Sequence, residues 1–336
     1  MKVTRDHGNR AVFFAGINQV EVREMPPPTT GRAESNQVEV QVRYSGICGS
    51  DLHLLGGQHP FVKPPVIPGH EITGEVSEVG DAVTTVSPGD RVLLDPIMPC
   101  GVCPRCEAGE QNLCQAACVI GFKVPGGMQT TFLTSGDRCH LIPEGLGLEL
   151  ACLAEPLATC VHAVGKVPRG GTVLVVGAGS IGLLMLMTLR AAGYQHISSV
   201  DPLESKRALA LSMGAKSAYG VDRVEGLFDT VIDCVSTGPS MSQAVDHCRP
   251  GGTILVVGVP TGRVEIQLAE TQRFERAIVA SALYVGAELD RALSLLAGGV
   301  VDGASLITAV VDFNEAARAF RLAQDPDQVK VLLCHP

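Results

Sequence analysis

Between Gln37 and Arg43 valine alternates with Gln, Glu and Arg, the period of two expected of a half-buried β-strand. Ala11 to Glu24 is rich in Val, Phe and Ile and reads as β, stopped by Pro26-Pro27-Pro28. From Pro60 to Val92 prolines and glycines recur between short Val/Ile runs, the punctuation of a β-rich, irregular domain. The texture changes near residue 160. Thr172 to Val176 is an unbroken β-branched and Leu run, as in a strand buried on both faces. A helix is predicted over Ile181–Ala192, then a strand over Ile197–Val200, a helix over Ser205–Met213, a strand over Thr230–Cys234, a helix over Ser240–Cys248 and a strand over Thr253–Val257. Strands and helices alternating in this way predict an α/β fold with a doubly wound parallel sheet. A last strand-helix-strand covers Leu306–Asp312, Asn314–Leu322 and Val329–Cys334. It could extend that sheet or return to the first domain, and periodicity does not decide between them.

At 336 residues the chain exceeds what one core ordinarily supports, so two domains are expected. With 46% hydrophobic and 18% charged residues it can bury large cores, which argues against disorder. A net charge of -9 and the absence of Trp work against nucleic acid and anionic membranes as partners. Met1 to Arg10 carries charges throughout, and the apolar patch after it, Ala11 to Ile17, is short, so no signal peptide is expected. Between Arg169 and Arg190 lie 20 uncharged residues, enough to span a bilayer, but Val-Gly-Ala-Gly-Ser-Ile-Gly divides them into strand, turn and helix. Twelve cysteines without a secretory signal point to reduced thiols, metal binding and a cytoplasmic location.

Gly177-Ala178-Gly179-Ser180-Ile181-Gly182 is a G-x-G-x-x-G that follows a strand and opens a helix. The first glycine permits the tight turn, the second lets the backbone approach a pyrophosphate, and the third lets the helix pack closely. The helix N-terminus then offers free N–H groups to the anion. Asp201 ends the next strand, where a carboxylate can accept both ribose hydroxyls and repel the 2′-phosphate of NADP. NAD is therefore the expected cofactor. Lys206 and Arg207 could soften that preference, although as residues of the following helix they also suit a solvated face.

Cys100, Cys103, Cys106 and Cys114 have the spacing C-x2-C-x2-C-x7-C. Four thiolates in one short lobe can close a tetrahedral site, the mark of a structural zinc. A second set is dispersed: Cys48, His70, Glu71 and Glu155. One thiolate, one imidazole and one or two carboxylates would leave Zn2+ a position for water or substrate, as catalysis needs. Taken singly, the same residues are a buried thiol, a loop histidine and solvated acids.

These motifs in this order resemble the zinc-containing medium-chain dehydrogenases. The resemblance runs from Ala11 to Cys334 and rests on Gly46-Ile47-Cys48-Gly49-Ser50-Asp51, Pro68-Gly69-His70-Glu71, Pro88-Gly89-Asp90-Arg91-Val92, the four-cysteine lobe, Glu155-Pro156-Leu157 and the glycine motif. It is closest to the polyol and threonine dehydrogenase branches, which have glutamate where classical alcohol dehydrogenases have a cysteine ligand. It implies a GroES-like β-rich catalytic domain over residues 1–158 with the zinc lobe at about 96–118, a Rossmann domain over 159–295, and a return to the catalytic domain over 296–336. It further implies one catalytic and one structural zinc per subunit, and association through the Rossmann sheets into a homodimer or homotetramer.

Carried over, Cys48 and His70 are zinc ligands, while relatives differ over whether Glu71 or Glu155 binds directly. Ser50 matches the hydroxyl that takes the substrate proton, and His53 the exit of that proton toward solvent. His59, His140 and His162 carry no role. The reaction implied is reversible oxidation of a secondary alcohol, polyol or cyclitol, to a ketone, with hydride transfer to NAD. Polyol dehydrogenases resembling this chain carry an Arg-Tyr pair late in the Rossmann region; here Ala282-Leu283-Tyr284 has Leu283 in place of the arginine, which argues against a plain sorbitol-type activity. Amino alcohols such as threonine, butanediol and simple secondary alcohols stay open. A catalytically inactive zinc-stabilised binding protein would have lost residues of the catalytic cluster, and all are present.

Overall fold

The computed structural model describes residues 8–26 and 36–336, so Pro27, Pro28 and the charged stretch 1–7 lie outside the described residues. The chain divides into two compact units: one runs to Leu153 and resumes at Ile307, the other is Ala154–Leu306.

The first unit opens with β1 (Asn9–Gly16) and β2 (Gln19–Met25), an antiparallel hairpin. The sequence predicts one β segment over Ala11–Glu24. The chain instead reverses at Ile17-Asn18, where Asn18 takes φ 57, a left-handed conformation that Asn tolerates better than most residues. Then come β3 (Gln37–Gly46), α1 (Gly49–Leu55), β4 (Glu71–Val79), β5 (Arg91–Leu94), β6 (Ile97–Met98), α2 (Pro104–Glu107), β7 (Cys118–Val119), β8 (Thr131–Ser135), β9 (Cys139–Leu141) and α3 (Leu148–Ala151). In β3 the alternation works as the sequence suggests: Val38, Val40 and Val42 are fully buried against Ile72, Val92 and Phe132.

The second unit begins with α4 (Ala154–Val164), which is not among the helices the sequence predicts. β10 (Thr172–Val176), α5 (Ser180–Ala191), β11 (His196–Val200), α6 (Glu204–Ser212), β12 (Ser217–Tyr219), β13 (Phe228–Asp233), α7 (Gly238–His247), β14 (Cys248–Val256), α8 (Leu268–Arg273), β15 (Ala277–Ala280) and α9 (Gly286–Ala297) follow. The six strands form one parallel sheet in the order β12-β11-β10-β13-β14-β15. That is doubly wound, and the order reverses at β10, whose C-terminal end is where such sheets bind ligands. Among the described residues no helix is long and apolar enough to cross a membrane. The stretch Arg169–Arg190 becomes β10, the glycine turn and α5.

The chain then returns to the first unit as β16 (Ile307–Asp312), α10 (Ala316–Ala323) and β17 (Lys330–Cys334). β16 pairs parallel with β17, and β17 pairs antiparallel with the end of β3, giving the order β16-β17-β3-β4-β5-β9 with β8 also on β3. The sheet left open by periodicity is thus that of the first unit. Phe14 and Phe320 meet edge to face at 5.0 Å and, with Phe313 and Leu54, fill the core under α10. Each such side chain contributes about 1.5–3 kcal/mol when fully buried. This packing fastens β17, and with it Lys330, beside the end of β3.

Candidate functional site

Cys48 is the N-cap of α1, with extended backbone, and the Asp51 carboxylate accepts from the Cys48 N–H at 3.0 Å to close the first turn. The helix therefore starts at a defined place and presents the half-buried Cys48 thiol beside His70. Gly69, just before His70, has φ +102, and a Cβ there would lie 2.5 Å from Met128 Cγ and 2.9 Å from Met128 N. Only glycine lets the loop enter β4 at this point.

One ligand atom each from Cys48, His70 and Glu71 lies within 4.8 Å of the others, close enough to hold one metal ion. Two buried atoms beside them, His70 Nδ1 and Asp51 Oδ1, make no hydrogen bond; at 3.6 Å they attract electrostatically only. Burial opposes a charge on His70, but Asp51 and the Cys48 thiol outweigh it and raise the imidazole pKa well above its ordinary value. A thiol, an imidazole and a carboxylate thus converge beside buried polar atoms without partners, a donor set that fits a divalent cation.

Glu71 is engaged by a residue that sequence reasoning did not assign. Lys330 Nζ, at the start of β17, donates to both carboxylate oxygens at 2.7 and 2.8 Å, and to the Ile47 carbonyl at 3.3 Å. Gly46 makes room: a Cβ there would lie 1.8 Å from Glu71 Oε2. The one signal in the sequence is a lysine inside the apolar run Val329-Lys330-Val331-Leu332-Leu333. Ser50 and His53 lie on α1, three residues apart and so on one face, both half-buried; burial lowers the His53 pKa.

In the zinc lobe, Cys100, Cys103, Cys106 and Cys114 also bring their sulfurs within 4.8 Å of one another. The contacts of 3.5 Å for Cys103–Cys106 and 3.9 Å for Cys100–Cys106 are far longer than a disulfide, and all four cysteines are free. The Cys100 N–H donates to Cys114 Sγ at 3.4 Å and is the main cause holding that thiol down at about 6, while burial pushes Cys106 up to about 11. Four thiols competing for protons in one small lobe fit a thiolate-binding metal.

In the second unit, Gly177 turns the chain at φ +88, and a Cβ on Gly182 would lie 1.8 Å from the Gly177 carbonyl. Gly179 has open space where its side chain would be. Ser180 and Ile181 open α5, and the buried Ser180 Oγ makes no hydrogen bond, which suits a helix N-terminus that can bind an anion. Asp201 accepts from the Ala178 N–H at 2.8 Å and the Leu203 N–H at 2.9 Å, which ties β11 to the glycine turn. Arg207 donates to the carbonyls of Asp201 and Pro202 at 2.9 and 2.7 Å. Lys206 corrects the solvated-face reading: it is 4% exposed, one turn from the buried Ala210 on the same face of α6.

Glu155 belongs to this unit, on the first turn of α4, where it accepts from Tyr284 Oη at 2.8 Å. Tyr284 is fully buried, and Leu283 before it has φ 55. A non-glycine residue in that region is strained and persists only when its surroundings over-determine it.

Known proteins share the fold over almost the whole chain. Residues 34–144 match the model of the alcohol dehydrogenase GroES-like domain, and residues 180–298 that of the zinc-binding dehydrogenases. An Aspergillus fumigatus protein named "Probable D-xylulose reductase A" is 32% identical over 99% of this chain and 98% of its own. A crystal structure of a zinc-binding dehydrogenase from Sinorhizobium meliloti bound to NADP superposes with TM-score 0.89 at 31% identity, covering 98% of this chain and 100% of the other. L-Idonate 5-dehydrogenase from Escherichia coli gives TM-score 0.89 at 26% identity over 97% and 98% of the two chains. Relatedness over almost its full length, on top of the metal-ready thiols and the dinucleotide turn, places the chain in the zinc-binding alcohol dehydrogenase family, as an oxidoreductase acting on a small-molecule alcohol.

Proposed function

We propose that this dehydrogenase oxidises a secondary hydroxyl of a polyol to a ketone with NAD as hydride acceptor. The observation that carries the reading is the metal-ready cluster of Cys48, His70 and Glu71, whose carboxylate Lys330 holds in place. The names of the two relatives, a D-xylulose reductase and an L-idonate 5-dehydrogenase, support a hydroxyl-rich substrate.

Cys48 and His70 would hold a catalytic zinc, with Glu71 kept beside it by Lys330, and the four-cysteine lobe would hold a second, structural zinc. Bound there, zinc supplies the Lewis acidity that makes the alcohol a stronger acid, and NAD supplies the hydride acceptor. Ser50 Oγ takes the substrate proton. His53, kept neutral by burial, accepts it in turn and releases it to solvent. Glu155, which accepts from Tyr284 Oη, keeps the candidate role that the family resemblance gives it. Gly177, Gly179, Ser180, Ile181 and Gly182 receive the pyrophosphate, and Asp201 selects the unphosphorylated ribose.

The exposed Ala277, Ile278 and Ala280 on the edge strand β15 support assembly into a homo-oligomer, and the twelve free cysteines support a reducing, cytoplasmic setting. The test is NADH formation by zinc-loaded protein with xylitol, L-idonate, cyclitols, 2,3-butanediol and threonine, with NAD and NADP in parallel. Turnover of a polyol with NAD, abolished in Cys48→Ala and shifted toward NADP in Asp201→Ala, is expected. Turnover confined to threonine would replace the polyol reading, and a preference for NADP in the wild type would overturn the role given to Asp201.

A further inference from the structure

His59 carried no role in the sequence, yet its ring is held at three points. The backbone N–H groups of Gln58 and His59 both donate to the His53 carbonyl, at 2.7 and 3.0 Å, which folds the loop back onto the end of α1. His59 Nδ1 accepts from two backbone N–H groups, Phe61 at 3.3 Å and Val62 at 3.2 Å. The imidazole stacks on Phe122, with centroids 4.7 Å apart and planes 15° from parallel. Phe122 in turn lies 5.1 Å from the His70 ring. The Phe122 loop is itself fixed to the His70 loop, since a Cβ on Gly121 would meet the Gly69 backbone at 2.8–3.0 Å. His59 is therefore positioned one aromatic ring away from the metal-binding imidazole.

The two donors on Nδ1 decide the tautomer. A nitrogen that accepts cannot carry the proton, so the neutral ring bears it on Nε2. Among the described residues Nε2 makes no hydrogen bond, and the half-buried ring leaves it available as a donor. Burial also lowers the His59 pKa, so the donor carries no charge.

We propose that His59 is a specificity-determining residue whose Nε2–H donates a hydrogen bond to a second hydroxyl of the substrate, next to the carbinol that is oxidised. A neutral single donor suits a hydroxyl and offers no charge to a carboxylate or phosphate. Phe122 sets the spacing between that donor and the metal cluster. The inference rests on the polyol reading above and names the group through which that site tells a polyol from a simple secondary alcohol.

Two measurements test it. The first is 15N NMR of the ring in the zinc-loaded protein near neutral pH: a protonated Nε2 and a bare Nδ1 are expected for His59, and a proton on Nδ1 overturns the inference whatever the enzyme turns over. The second compares xylitol with 2-pentanol. In His59→Leu the ratio of kcat/KM for the two falls about tenfold, mainly through KM for xylitol, the loss expected for one hydrogen bond to a substrate hydroxyl. His59→Gln keeps a donor and recovers most of the ratio. An equal fall on both substrates, or a ratio that does not move, overturns the assignment. A wild type that oxidises no polyol overturns the polyol reading and, with it, the hydroxyl named here, while the NMR result still judges the tautomer alone.

Discussion

Replacing Lys330 by methionine removes a charge and keeps most of the side chain's length, so it isolates the electrostatic part of the candidate site. The ammonium sits 2.7 and 2.8 Å from the Glu71 oxygens, and the two side chains are 2% and 0% exposed. Water cannot take the place of a lost partner there. Removing one member of a buried pair costs about 3–5 kcal/mol, because the other charge is left buried and uncompensated. For a cooperative unit of about 150–250 residues each kcal/mol moves Tm by about 2–4 °C, so metal-free Lys330→Met should melt about 6–20 °C below wild type. Burial works against the lysine charge, but Glu71 and Cys48 outweigh it and raise the pKa above its ordinary value. A raised amine pKa stabilises the folded state fully below the unfolded value of about 10.4 and is lost only above it, so the deficit should persist to about pH 9. The assay is calorimetry of chelator-treated wild type, Lys330→Met, Glu71→Leu and the double variant. The double variant should lose much less than the sum of the single losses, since it leaves no orphaned charge. A single variant melting within about 1 °C of wild type, or strictly additive losses, would refute the reasoning.

Gly46→Ala places a methyl 1.8 Å from Glu71 Oε2, and the carboxylate cannot swing away while Lys330 holds it. A loss of about 1–3 kcal/mol in denaturant unfolding and weaker zinc retention in a chelator titration are expected, and unchanged values would mean that the carboxylate is free to move. Cys114→Ser should lower the zinc content measured by mass spectrometry by one equivalent per chain; full retention would exclude the four-cysteine lobe as a metal site. Burial pushes His335, hydrogen-bonded to Ser45 Oγ at 2.8 Å, down to about 3. Its contribution to stability is therefore complete above the unfolded value of about 6.5 and falls away as pH drops toward 3, reaching a loss of about 2 kcal/mol at pH 5. In His335→Gln that acid-side loss should be missing from urea unfolding curves compared at pH 7 and pH 5, and parallel losses in both proteins would contradict the assignment.

Features governed by near neighbours in the chain were legible from the residues. The glycine turn depends on backbone freedom within six residues, the cysteine lobe on the reach of one short loop, and β3 and β10 on the side-chain period of a strand. Ser50 and His53 came from the family resemblance, and it is α1 in the structure that sets them on one face. Helix α4 was missed because it is buried along most of its length, from Ala154 to Ala158 and at Cys160, Ala163 and Val164, and so shows no clear polar face. Lys206, placed on a solvated face by its charge, lies instead on the buried face of α6 with Ala210, which a charge in sequence does not reveal.

Tertiary structure alone decided what those residues face. Lys330 is 259 positions from Glu71 and meets it only because β17 returns to the edge of β3. Tyr284 is 129 positions from Glu155 and reaches it across the second unit. His59 carries no role in the sequence, and only two backbone N–H groups on Nδ1 and the Phe122 ring set its tautomer and place. The physical reason is the range of the forces involved: propensity, turn geometry and ligand spacing act over a few residues and are written in order along the chain. A buried ion pair or a directed hydrogen bond depends on distances of about 3 Å between groups that only the packed core brings together.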